Sequence, residues 1–277
     1  MSAVYEVIPQ PSRRDRAARH LRILKVIAGV EFKLKYAGSA MGYLWSLIKP
    51  LSYFAVLWVV FGRIFKFDVG IDRYPVYLVI GIVLYTFFVD ATGLAFPSLT
   101  KSSAILRKLP FPPLVIPVAA TLTAGITFAV NLVAVAVFVV VSEAVPAWDW
   151  FALVPLLLEL YAFVLGVSLI LATLFVRFRD VSQIWELVSQ LLIFATPVMY
   201  PITILPDWAI RVAYLNPLVQ IMQDMRVIII GSANDNETIT SVFGSAGRAV
   251  PVAVTAALLI GGLLLFRREA PTLAERV

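Results

Sequence analysis

Residues 177–217, RFRDVSQIWELVSQLLIFATPVMYPITILPDWAIRVAYLNP, decide how the rest of the chain reads. A charged start, with Arg177, Arg179, Asp180 and Glu186, leads into an apolar run. That run meets Pro197, Pro201 and Pro206 where a simple membrane helix would carry on. Proline donates no backbone hydrogen bond, and an unpaired carbonyl in hydrocarbon is strongly unfavourable. A broken backbone at that depth is tolerable only where protein buries it or it lines a wet path. The stretch therefore predicts a helix that goes into the membrane and does not simply come out.

The composition agrees with a membrane location. Of 277 residues, 61% are hydrophobic and 14% charged, which excludes a soluble single domain and predicts an all-α, multi-pass integral membrane protein. Cysteine is absent, so disulfides, thiol nucleophiles and thiolate metal sites are excluded. The single histidine, His20, has no second imidazole to help it hold a metal, and no metal site is expected. A net charge of +6 would admit nucleic acid, but its distribution argues for a membrane surface instead. Eight basic residues, Arg13, Arg14, Arg16, Arg19, Arg22, Lys25, Lys33 and Lys35, precede the first apolar run. A cleavable signal peptide would have a shorter basic region with its apolar core close behind. This flank reads as cytoplasmic under the positive-inside rule.

Stretches long enough to cross roughly 30 Å of hydrocarbon at about 1.5 Å per residue run near 43–62, 76–97, 114–141, 151–176, 183–200 and 249–266. Residues 201–230 hold further apolar turns broken by Pro206 and Pro217, which read as a re-entrant excursion returning to the outer face. With the amino terminus inside, 17 of the 23 Lys and Arg fall on the cytoplasmic side, and Arg63, Lys66, Arg73, Arg211, Arg226 and Arg248 fall outside. Both termini are thus expected in the cytoplasm. Residues 13–35 predict a helix lying on the inner surface, with apolar side chains (Leu21, Leu24, Ile27, Val30) in its second half. A solvated basic tail drawn to anionic lipid is the alternative. After the second span, KSSAILRKLPFPP (101–113) carries two serines that can cap a short helix and three prolines that stop it.

Three separated stretches, EFKLKYAGSAMGYLWSLIKPL (31–51), SAILRKLPFPPLVIP (103–117) and the opening stretch through Asn216-Pro217, resemble the membrane subunits of type 2 ABC exporters. The likeness is to the Wzm-like and TarG-like permeases that export lipid-linked polysaccharides, and it covers nearly the whole chain. It implies a homodimer of six-span subunits with a cytoplasmic ATPase subunit docked beneath each. The interface or gate helix would fall on 13–35, with Arg16, Arg19, Arg22 and Lys25 among its basic groups. The coupling helix would fall on 99–109, with Ser103, Ile105, Leu106, Arg107 and Lys108. Two short re-entrant helices facing the periplasm would occupy 201–230. Segment 65–88 looks most like the polysaccharide branch, although Tyr85 stands where a Trp is common there. No glycine is followed by the Lys-Ser or Lys-Thr of a phosphate-cradling loop, so ATP and Mg²⁺ belong to the partner subunit and this chain binds neither.

For a sugar polymer the expected guides are aromatic faces: Tyr53, Trp58 and Phe61 on the first span, Tyr85 and Phe88 on the second, and Tyr200 beside the proline break. Packing or interfacial anchoring is the ordinary role of such side chains. Asp90 and Glu159 lie inside spans, where each must face protein or water or hold its proton. They could bond sugar hydroxyls or move protons, or be buried carboxyls satisfied by neighbours such as Thr92 or Asn131. Glu186 is expected to pair with Arg179 or with a base on the gate helix. A proton-driven transporter would show an internal repeat, and none is found. A membrane glycosyltransferase would cluster its charged groups, and here they are scattered. The substrate class read from the resemblance is a polyprenyl-diphosphate-linked O-antigen, galactan or teichoic acid. An exporter of drugs or small lipids would share the coupling and re-entrant features.

Overall fold

The computed structural model describes residues 13–37, 39, 41–65, 71, 73–102, 112–143, 148–231 and 238–276, and every regular element among them is helical. Helix α1 (Arg13–Tyr36) is followed by α2 (Trp45–Leu57), which runs on as a π-helical turn over Trp58–Ile64. Then come α3 (Tyr74–Ala95), the short α4 (Ser98–Lys101), α5 (Val115–Val141) and α6 (Leu153–Arg177). The proline-rich stretch forms α7 (Val181–Ala195), α8 (Asp207–Ala213) and α9 (Pro217–Ile230). A small α10 (Ile239–Phe243) precedes the last long helix, α11 (Ala249–Arg276).

Among the described residues, five helical stretches are long and apolar enough to cross a membrane: Trp45–Ile64, Tyr74–Ala95, Val115–Val141, Trp148–Arg177 and Ala246–Ala270. The expected fifth crossing, 183–200, takes a different form. Its helix α7 stops at Ala195 after 15 residues, and Thr196 is extended at φ −102° and ψ 130°. The cause is local, because Pro197 disfavours helical geometry in the residue before it. Fifteen residues of helix cover only about 22 Å, so the apolar helix falls short of the hydrocarbon thickness. At the other end of the chain, α11 continues ten residues beyond the expected Phe266, through Arg267, Arg268 and Glu269.

Helix α3 is the centre of the bundle. Side chains on all its faces are buried, among them Tyr77, Leu78, Ile80, Leu84 and Phe88. Phe87 stacks on Phe128 of α5 at 4.4 Å, and Phe88 stacks on Phe163 of α6 at 5.5 Å. Helices α6 and α11 approach more closely still. A Cβ on Gly166 would lie 2.7 Å from the backbone of Leu258 and Leu259, and one on Gly262 would lie 2.7 Å from the Gly166 carbonyl. Small residues at such a crossing let two backbones pack where water cannot drive association. Helix α1 rests on α5 through Ala28, whose carbonyl accepts from Thr123 Oγ1 at 3.3 Å. Its Val26, Val30 and Leu34 form an exposed apolar stripe at four-residue spacing.

The break after α7 is held by side chains. Pro197 O and Val198 O accept from Arg226 Nη1 and Nη2, each at 2.7 Å. Met199 O accepts from Tyr74 Oη at 2.7 Å, and Tyr200 O accepts from Tyr77 Oη at 2.9 Å. Four consecutive carbonyls that a helix would have paired are thus each met by a donor from α3 or α9. Arg226 is fully buried, and its Nε also donates to Tyr77 O at 3.2 Å while its guanidinium lies 3.4 Å from the centroid of the Tyr77 ring. Gly81 makes the room, since a Cβ there would stand 2.5 Å from Arg226 Nη2 and 2.7 Å from Val198 O. Removing a donor and leaving its acceptor buried costs about 1–3 kcal/mol per group. Arg226→Met is therefore expected to lower stability by about 3 kcal/mol or more and Tyr77→Phe by about 1–2 kcal/mol. Thermal unfolding of the two variants in the same lipid nanodisc, which should place Arg226→Met well below Tyr77→Phe, checks the ordering.

Candidate functional site

Two cavities adjoin along α2 and α3. The first, of about 680 Å³, lies between α1, α2, α3 and α5, and the second, of about 570 Å³, lies between α2, α3 and α7. They share Lys49, Tyr53, Thr86 and Asp90 on their walls. Helix α2 presents its side chains because little covers it: only Ser46, Pro50 and Gly62 are buried along Trp45–Ile64. Helix α7 closes one wall and is pinned to α3. Trp185 Nε1 donates to Thr92 Oγ1 at 3.1 Å, Tyr85 Oη donates to Ser189 O, and Trp185 meets Phe88 edge-on at 5.7 Å.

The six aromatic candidates divide. Tyr53 lines both cavities, and Phe61 and Tyr85 line the second. Phe88 is 2% exposed and belongs to the core between Phe163 and Trp185. Trp58 packs with Phe54 at 6.5 Å and carries the Arg63 guanidinium 4.9 Å from its ring centroid. Tyr200 is tied to the break, its hydroxyl donating to Phe194 O at 2.7 Å and its carbonyl accepting from Tyr77. Periodicity could not separate these, because α3 buries every face and the break sets Tyr200 by tertiary contacts.

Asp90 has partners other than the two considered from sequence. Its Oδ2 lies 3.9 Å from Lys35 Nζ at the end of α1, and its Oδ1 lies 3.7 Å from Lys49 Nζ on α2. Thr92 donates instead to Phe88 O at 2.8 Å. Asn131 lines the first cavity, and its Oδ1 is buried without a hydrogen-bond partner among the described residues. Glu159 on α6 lies within electrostatic reach of Asp224 and Arg248. Of those two, fully buried Asp224 accepts from Gln220 Nε2 at 2.7 Å and pairs with Arg248 at 3.2 Å.

No ion pair joins Arg179 and Glu186 among the described residues. Arg179 lies 5.2 Å from the Phe175 ring centroid, and Glu186 is exposed on α7. On α1, Arg19, Arg22 and Lys25 are exposed, and the side chain of Arg16 lies outside the description. Ser103, Ile105, Leu106, Arg107 and Lys108 lie outside the described residues, and of the expected helix 99–109 only the Ser98–Lys101 turn is described, with Leu99 buried. Glu31 of α1 faces this region. It accepts from Thr123 Oγ1 at 3.4 Å, and burial pushes its carboxyl above the ordinary value while Thr123 and the field of Lys101 oppose the shift.

Sequence reasoning missed Lys35 and Lys49 as partners of Asp90, and it missed Arg226 altogether. A signal for Arg226 existed, since an arginine inside an apolar run must find acceptors for all its donors.

Comparison with known proteins adds the family. Residues 23–230 match the model of the ABC-2 type transporter family. The chain is 27% identical over 222 residues to an O-antigen export system permease protein RfbA of Klebsiella pneumoniae, covering 80% of this chain and 85% of that one. It is 28% identical to the protein of the same name from Myxococcus xanthus, covering 72% of this chain and 76% of that one. The polysialic acid transport protein KpsM of Escherichia coli is 20% identical over 70% of this chain and 75% of its own. With the family model spanning most of its helices, from the second half of α1 to the end of α9, the chain belongs to the ABC-2 type transporter membrane family.

Proposed function

We propose that this chain is the permease subunit of an ATP-driven exporter that moves a polyprenyl-diphosphate-linked polysaccharide out of the cytoplasm across the bacterial inner membrane. One observation carries the reading: relatives named for O-antigen export and for polysialic acid transport each align along more than two-thirds of the chain. The geometry supports it, because Tyr53, Phe61 and Tyr85 offer ring faces along cavities bounded by α2, α3 and α7. A flat ring packs against sugar C–H groups without fixing the polymer in one register.

The working unit in this reading is a homodimer with two ATPase subunits beneath it, which bind ATP and Mg²⁺. Exposed apolar residues on α2 (Val56, Val59) and α7 (Leu187, Leu191, Phe194) support a second copy facing the cavities. Each subunit crosses six times, α7 and the stapled backbone after it serving as the fifth crossing. Helices α8 and α9 re-enter from the periplasm, both termini are cytoplasmic, and α1 lies on the inner surface. Residues 99–109 form the helix that rides on the ATPase. Glu31 supports this coupling, because it connects α1, α5 and the field of Lys101 at the start of that segment. When the ATPases close, the α2 and α7 layers of the two protomers part.

Depletion of the chain should cause a lipid-linked glycan to accumulate on the cytoplasmic side, measured by lipid extraction and glycan analysis. Drug sensitivity with no such accumulation would move the assignment to a small-molecule exporter. In a second experiment, Arg107→Glu combined with Lys108→Glu should release or uncouple the ATPase. Co-purification and export that both survive the change overturn the docking assignment.

A further inference from the structure

A third cavity, of about 560 Å³, lies between α5, α6 and α9 and draws none of its wall from α1, α2 or α7. Leu132, Val135 and Val139 of α5, Leu157 of α6 and Ile229 of α9 make it apolar. Along α5 the wall starts at Leu132 and ends at Glu143, just past the helix. That is about 16 Å at the rise of a helix, half of a hydrocarbon core roughly 30 Å thick. Ala136 and Val140 on the same wall are exposed, so the slot opens sideways toward lipid. Its polar groups, Glu143 and Trp150, come from the end where α5 hands over to α6.

We propose that this cavity holds one acyl chain of a membrane phospholipid, with phosphatidylethanolamine as the headgroup that fits its rim. An apolar slot one leaflet deep and open to hydrocarbon suits a lipid tail. At its polar end Trp150, in the 3-10 turn Trp148–Ala152, has its Nε1 buried and without an acceptor among the described residues. The indole N–H only donates. A lipid ester carbonyl, at the foot of the headgroup, is the acceptor that the bilayer itself brings to this depth. Beyond Trp150 the rim carries both signs of charge. Arg73 Nη2 donates to the Glu143 carbonyl at 3.3 Å, which holds a guanidinium beside the acid, and no ion pair joins their side chains among the described residues. A guanidinium for the phosphate and a carboxylate for a primary ammonium together match a zwitterion. Exposed Asp149, next to Trp150 in sequence, adds a second negative charge at this end and disfavours an anionic headgroup. The site requires only that the chain sits in a bilayer, and it goes beyond the export reading without resting on it.

The full-length chain can be placed in nanodiscs of equal parts phosphatidylethanolamine, phosphatidylcholine and phosphatidylglycerol, then released in a native mass spectrometer and its retained lipid identified. Phosphatidylethanolamine should be retained about tenfold over either of the others. Choline has no N–H to donate to Glu143, and phosphatidylglycerol brings a net negative charge. Trp150→Phe keeps a ring and loses the donor, so it should lower retention of all three lipids by about fivefold. Glu143→Gln should shrink the preference for phosphatidylethanolamine to about twofold while a lipid is still retained. Ala136→Trp fills the slot from an exposed position and should abolish retention, with thermal unfolding in the same nanodisc showing that the chain stays folded. A chain that retains no lipid overturns the site. Retention that neither Trp150→Phe nor Ala136→Trp changes reports only the lipid annulus and overturns it too. Phosphatidylglycerol held as firmly as phosphatidylethanolamine overturns the match between rim and headgroup on which the proposal stands.

Discussion

Four successive carbonyls without a helix to pair them, Pro197 to Tyr200, impose the constraint on which this architecture depends. In a medium without water each needs a donor from elsewhere in the protein. Arg226 supplies two from one planar fork, and the hydroxyls of Tyr74 and Tyr77 supply the others. All four can be met only if α3 and α9 both lie against the break. That requirement places α3 in the middle of the bundle, and it removes the side chain at position 81 where Arg226 and the Val198 carbonyl pass.

The same arrangement accounts for the charge of Arg226. Among the described residues no carboxylate pairs with this fully buried guanidinium, and Asp224, two positions earlier on α9, pairs with Arg248 instead. Carbonyl dipoles, Gln223 Oε1 at 2.8 Å and the face of Tyr77 take the place of a counterion. Arginine suits this position better than lysine, because its five donors lie in a fixed plane that can serve several carbonyls and a ring together.

The helical class, the apolar helices and the break were legible in the sequence because each has a local cause: hydrophobic length, proline position, the lack of polar interruption. What was not legible depends on contacts between segments far apart. Arg226 read as one of six outward cations, since nothing near it in sequence announces acceptors 28 and 29 positions away. Asp90 read as an acid in need of a local hydroxyl or amide, whereas its partners come from α1 and α2. Phe88 looked equivalent to Tyr85 on an apolar helix, and only the packing of Trp185 and Phe163 around it turns it into core.

These contacts also divide the molecule mechanically. Helix α7, though short, is fastened to α3 at Trp185, at Ser189 and through the staple at its end, so displacing it breaks several buried polar contacts together. Helix α2 has almost no buried side chains, and its Lys49 meets Asp90 of α3 at a long 3.7 Å. Elements with few buried contacts move at the lowest free-energy cost. Any opening of the cavities therefore falls first on α2, whose helical hydrogen bonding is already irregular over Trp58–Ile64, while α3, α6, α9 and α11 stay together.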